Sequence, residues 1–202
     1  MSITKISNIF TKEELDILDM QLDYSSIPLD DENNYVDHKT NGEGMGIHDE
    51  LGRLQFGHLI NLPISIVNKV SDIAKNLSDQ KLSMSHAIGV EYNAAYGSPN
   101  LPVHYDHDTN DLIINFQLSS NTKWDIGIDL KVYELEDNSA LVFNGNEYTH
   151  WRPRKIFNQG EFIKMIFFRF CYIENRSDYS NLDYAINHDV FKEVNEFRDS
   201  LS

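Results

Sequence analysis

Three residues carry the most pointed chemistry in this chain: His104, Asp106 and, 44 residues further on, His150. One residue separates His104 from Asp106, and on an extended strand such a pair points the same way, because side chains alternate between faces at period two. Two ligands on one side of a strand cover adjacent positions on one cation. A second imidazole from elsewhere completes a set of two histidines and one carboxylate. That set suits iron(II) and leaves three coordination positions open for O₂ and a co-substrate. As ligands, Asp106 has to be ionised and both imidazoles neutral, each with its second ring nitrogen fixed by another acceptor. A His-x-Asp triplet alone is weak evidence: an acidic chain with eight histidines yields some by chance, and the ordinary reading of one is a surface loop. His107 and Asp108 follow directly and offer an overlapping set, but His107 falls on the opposite side of an extended strand.

The elements that must position these residues are readable in outline. Thr11-Lys12-Glu13-Glu14 forms a capping box, and Leu15, Ile17, Leu18 and Leu22 follow at helical spacing, which predicts a helix over 11–22. Residues 25–50 are rich in Asp, Asn, Gly and Ser and read as a long loop with room for a short strand. From 25 to 58, Tyr35, His38, His48, Arg53 and His58 are candidate substrate contacts. Pro63 opens a second helix, with Ile64, Ile66, Val67, Val70, Ile73 and Ala74 as its apolar face.

After Asp79, short runs rich in Val, Ile, Phe and Tyr alternate with turn residues. They predict strands over 83–96, 111–118, 124–134, 139–144 and 161–173, before a last helix near 189–200. Helices followed by short strands point to an antiparallel β-sandwich or barrel braced by helices. The 202 residues suit one domain: a helical part to about 80, a β core over 83–173 and the terminal helix.

The stretch Tyr96-Gly97 … His104-Tyr105-Asp106 resembles the Tyr-Gly … His-x-Asp segment of prolyl-hydroxylase-like 2-oxoglutarate oxygenases. The run from Ala140-Leu141-Val142-Phe143 through Gly145 to His150-Trp151-Arg152-Pro153 is similar to their distal-histidine segment. The resemblance spans roughly 88–172. It implies a mainly β fold with flanking helices around a double-stranded β-helix (jelly-roll) core. It implies iron(II), 2-oxoglutarate and O₂ as cofactors, with His104, Asp106 and His150 holding the metal. Hydroxylation of a C–H bond, with release of succinate and CO₂, is the default outcome. Asp106 as a ligand leaves no spare site for halide, which disfavours halogenation.

By the same resemblance, 2-oxoglutarate chelates iron through its keto-acid end, and its far carboxylate needs a buried cation, usually on the strand after the distal histidine. Lys164 is the first choice, because a lysine on an otherwise apolar run is costly to bury unless paired with an anion. Arg169, on the opposite side of a regular strand, offers a bidentate grip. Arg152, Arg154 and Lys123 are further options, and the position where relatives often keep an Arg falls near Phe162. Tyr96 resembles a tyrosine that contacts the co-substrate. Asn110 and Asn115 are pocket candidates whose ordinary reading is a solvent-facing amide, and Trp151 is expected to pack against the barrel rim.

The bulk numbers bound the substrate. Thirty-two acidic against 17 basic residues give −15, which repels phosphate backbones, and there is no Lys/Arg cluster to offset it. Nucleic acid is therefore disfavoured; a small molecule, an amino acid or a peptide remains. The acidity reads either as a solubility device or as a preference for a cationic substrate. The single cysteine, Cys171, sits in an apolar run as a buried thiol, so no internal disulfide forms. The N-terminus lacks the apolar region of a signal peptide and no stretch is long enough to cross a bilayer, so a cytoplasmic location is expected. Two other classes fit parts of the pattern: a cupin-type metal enzyme that uses no 2-oxoglutarate, and a degenerate, metal-free jelly-roll that only binds.

Overall fold

The computed structural model describes residues 2–36, 45–48, 51–59, 61–106, 110–172 and 188–201. Among these residues are three α-helices and eleven strands. Helix α1 (Lys12–Met20) begins at the anticipated capping box: the Glu14 N–H donates to Thr11 Oγ1 at 3.3 Å and the Thr11 N–H to Glu14 Oε2 at 2.8 Å. Helix α2 (Ile64–Leu77) buries Ile66, Val70 and Ala74, a repeat of four that keeps one stripe inward. The last helix, α3, runs His188–Asp199.

The strands form two antiparallel sheets. The larger has seven strands in the order β1-β9-β6-β11-β4-β3-β2 and the smaller four in the order β5-β10-β7-β8. In the large sheet these are β1 (Thr4–Ser7), β2 (Met45–His48), β3 (Arg53–His58), β4 (Leu82–Asn93), β6 (Leu112–Ser120), β9 (Ser139–Phe143) and β11 (Phe162–Tyr172). The small sheet holds β5 (Leu101–His104), β7 (Ile126–Ile128), β8 (Lys131–Tyr133) and β10 (His150–Arg152). Strands from β4 onward alternate between the two sheets in pairs that wrap around a shared interior, which makes a double-stranded β-helix.

Period-two alternation divides the side chains into two cores. Leu112, Ile114 and Phe116 on β6, and Ile166, Phe168 and Phe170 on β11, pack with Leu18 of α1 and Val70 of α2 on the helix side. Ile163 and Met165 on β11, Leu141 and Phe143 on β9, and Ile126 and Ile128 on β7 fill the space between the sheets. Strand β6 is buried over seven consecutive residues because both its faces are covered. Outside the small sheet, Val194 of α3 packs with Val103 and Trp151. Gly127 makes that possible: a Cβ there would lie 2.0 Å from Trp151 Cε2.

Several elements differ from the sequence reading. The loop over 25–50, read with room for a short strand, holds β2, and β3, just beyond it, was not anticipated; the two pair and extend the large sheet. Leu54 and Phe56 are the buried alternates of β3, and two apolar positions are too few to reveal a strand by period. Residues 124–134 form two short strands, β7 and β8, joined by a turn at Asp129 and Leu130. Strands β1, β5 and β10 were not anticipated; each has only three or four residues. His38, His107 and Asp108 lie outside the described residues.

Candidate metal centre

The two triad histidines meet because β5 and β10 are neighbours in the small sheet. His150 and His104 are direct partners across that antiparallel pair, the closest approach side chains on adjacent strands have. Their ring centroids are 4.1 Å apart. Asp106 lies two residues past His104, just beyond the strand end, and its N–H donates to the Gly145 carbonyl at 2.9 Å. This ties the carboxylate to the turn that leads into β10. Gly145 is required there, since a Cβ would sit 2.7 Å from Ile113 Cδ1 and 2.9 Å from Asp106 Oδ2.

One ligand atom from each of His104, Asp106 and His150 lies within 4.8 Å of the others, and His150 Nε2 is 3.4 Å from Asp106 Oδ2. The acceptors that fix the rings are backbone carbonyls. His104 Nδ1 lies 2.8 Å from the Pro102 carbonyl oxygen, and His150 Nδ1 lies 3.3 Å from that of Tyr148. In each case the carbonyl two residues earlier accepts a hydrogen bond from Nδ1–H, which leaves the Nε2 lone pair for a cation. Burial pushes the His150 imidazole down to about 4, partly countered by Asp106, so it is neutral at pH 7 as a ligand must be. Two imidazole nitrogens and a carboxylate oxygen gathered on one side form a donor set that fits a divalent transition metal.

The triad opens into a cavity of about 400 Å³ between the two sheets. Leu101, Pro102, Ile113, Phe143 and Phe167 form its apolar wall, and Arg53, Asn115 and Arg169 add polar groups. Arg169 is on the inward face of β11; burial lowers its pKa, the Asp106 carboxylate opposes that and Arg53 adds to it. Arg53, on β3, donates from Nη1 to Tyr92 Oη at 3.4 Å and from Nη2 to Gln55 Oε1 at 3.1 Å. Asn115 Oδ1 is buried without a hydrogen-bond partner, so it is not the solvent-facing amide the sequence suggests. Asn110 is also buried, but outside this lining.

The other anticipated cationic and aromatic contacts are not brought to the cavity. Lys164 is the main correction: its Nζ donates to Asp19 Oδ1 of α1 at 2.7 Å. The cause is parity. Odd-numbered Ile163 and Met165 face the space between the sheets, so Lys164 faces the helices. Its anion is an aspartate of the chain itself. Arg152 is fully buried, donates from Nη1 to the Trp124 carbonyl at 2.6 Å and from Nη2 toward Met165 Sδ at 3.3 Å, and packs on the Trp124 ring. Burial lowers its pKa to about 10, which leaves it charged and inside the core rather than in the cavity lining. Tyr96 is buried in the helix-side core against Tyr35, and burial raises its phenol. Arg154 is exposed and Lys123 pairs with Glu134. Trp151 packs under α3, edge-to-face with Phe197, as expected of a packing residue.

Of the residues from the 25–58 segment, Arg53 reaches the cavity, and Leu51 joins it; neither Tyr35, His48 nor His58 lines it. The wall residues Leu101, Pro102, Ile113, Phe143 and Phe167 had no distinguishing signal, because inward-facing apolar side chains look alike whether they line a core or a cavity.

No protein-family model matches this sequence, and no curated protein is significantly similar to it. Solved structures do share its fold. HygX from Streptomyces hygroscopicus, with nickel and 2-oxoglutarate bound, superposes with a TM-score of 0.58 at 10% identity, covering 85% of this chain and 83% of that one. A prolyl hydroxylase from Trichoplax adhaerens, in complex with a hypoxia inducible factor peptide fragment, gives 0.58 at 10% identity over 89% and 87%. An oxidoreductase of the 2OG-Fe(II) oxygenase family from Burkholderia pseudomallei gives 0.52 at 12% identity over 84% of each. No helix among the described residues is long and apolar enough to cross a membrane. With its paired sheets and a His-Asp-His cluster at the mouth of the interior, this chain has the double-stranded β-helix fold of the iron(II)- and 2-oxoglutarate-dependent oxygenases.

Proposed function

We propose that the chain works as a single oxygenase domain that uses iron(II), 2-oxoglutarate and O₂ to hydroxylate a C–H bond of a small molecule, an amino acid or a peptide. The observation that carries this reading is the meeting of His104, Asp106 and His150 at a half-buried cavity. When bound, the metal and its co-substrates supply an oxidative decarboxylation that yields succinate and CO₂ and oxidises the substrate. His104 and His150 hold the metal through Nε2, their rings fixed by the Pro102 and Tyr148 carbonyls. Asp106 neutralises part of its charge. Arg169, inward on the strand after the distal histidine, would hold the far carboxylate of 2-oxoglutarate through its guanidinium. The apolar wall excludes water and holds the reacting carbon close to the metal.

The buried thiol of Cys171, beside Ser83, suits a reducing cytoplasm. The test is succinate release from 2-oxoglutarate under air, with and without iron(II), across a panel of amino acids, peptides and small metabolites. Release that requires both iron(II) and one member of the panel supports the reading; a protein that takes up no iron contradicts it.

A further inference from the structure

The cavity beside the triad is basic, in a chain that carries −15 overall. Among the described residues its ionisable lining is Arg53, Arg169, Asp106 and the two imidazoles, and Asp106 is the one acid in that set. This rests on the function proposed above: a divalent ion and two guanidiniums, less the one carboxylate, give three positive charges. A bound 2-oxoglutarate dianion cancels two, and one remains. An uncompensated charge in a half-buried cavity is costly unless a counter-ion fills it.

The residual charge is placed by what each arginine touches. Arg169 lies in the field of Asp106. The partners of Arg53, Tyr92 and Gln55, are both neutral, and its guanidinium lies 5.8 Å from the centre of the Phe167 ring. Among the described residues, neutral groups thus fix the guanidinium in place and no carboxylate pairs with it. A guanidinium held this way recognises a planar anion. Next to it the wall is apolar, with Leu51, Leu101 and Phe167.

We propose that Arg53 anchors an anionic group of the substrate, and that the substrate is a small carboxylate with an apolar body. This reverses the preference for a cationic substrate that the net charge suggests. The overall charge reports the outer surface; the cavity reports the ligand.

The test uses full-length protein loaded with nickel(II), which holds the site without turnover, and saturated with 2-oxoglutarate. Hexanoate, hexylamine and hexan-1-ol, which share one body and differ in head group, are titrated by calorimetry into wild type, Arg53→Gln and Arg53→Lys. The expected result is hexanoate binding about tenfold or more tighter than hexylamine to wild type and Arg53→Lys, with no such preference in Arg53→Gln. In Arg53→Gln, 2-oxoglutarate affinity stays within about threefold of wild type, whereas Arg169→Gln loses much more. The subsite is overturned if wild type fails to bind hexanoate, or binds hexylamine as well. It is also overturned if Arg53→Gln weakens 2-oxoglutarate as much as Arg169→Gln does, since Arg53 would then belong to the co-substrate. Failure to load nickel or 2-oxoglutarate overturns the functional reading beneath it; a loaded protein indifferent to head-group charge overturns the subsite alone.

Discussion

Each histidine of the triad is aimed by the carbonyl two residues before it, so the tautomer that exposes Nε2 is set by the local backbone. This arrangement needs no buried carboxylate behind the rings, and it explains why the groups that fix the rings were not legible among the side chains of the sequence. Replacement of Asp106 by Ala is expected to weaken nickel(II) binding by more than about 100-fold in a calorimetric titration, because two neutral imidazoles remain to hold a divalent charge. Arg169→Gln is expected to weaken 2-oxoglutarate binding to the nickel-loaded protein by about 10- to 100-fold, the usual cost of losing a charge-assisted pair. The choice between Lys164 and Arg169 turns on one bit of information, which side of β11 faces the interior. Sequence shows that the two differ in parity but not which parity is inward. Only the packing of Ile163 and Met165 against the small sheet decides it.

At the scale of elements, what was legible followed length and periodicity. The α1 capping box, the apolar stripe of α2 and the long strands β4, β6 and β11 announce themselves through many residues in phase. Strands β5 and β10, which present the two histidines, have four and three residues, and period cannot emerge from so few. Their pairing is enforced instead by tight turns and close approaches. Gly145→Ala is therefore expected to push against Asp106 and Ile113, lowering nickel affinity about tenfold or more while the protein still folds. Gly127→Ala collides with Trp151 in the outer layer and is expected to destabilise the fold by about 1–3 kcal/mol, read from urea denaturation. The two glycines separate a defect at the metal from a defect in the scaffold.

For the whole molecule, the charge of −15 acts through self-repulsion rather than through fold. Raising NaCl from about 10 mM to about 150 mM shortens the screening length from about 30 Å to about 8 Å, so the melting temperature of the metal-free protein should rise. Acid works through buried histidines. Burial, with Arg169 and His58 nearby, pushes His86 down to about 4, and burial does the same to His150. Between about 6.5 and 4 the unfolded chain binds protons that these groups refuse in the folded state, so their stabilising contribution is complete above 6.5 and is lost as pH falls. His86→Gln should flatten the fall of melting temperature over that range. On the proposed function, two imidazoles and a carboxylate hold one metal with room beside it for a chelating keto acid. Anaerobic titration of the metal-free protein with iron(II), followed by 2-oxoglutarate, tests it most directly. One equivalent of iron, followed by a weak visible charge-transfer band on adding 2-oxoglutarate and by no band in His104→Ala, is the predicted result. Wild-type protein that takes up no iron, or that takes it up and shows no band with 2-oxoglutarate, would contradict the account.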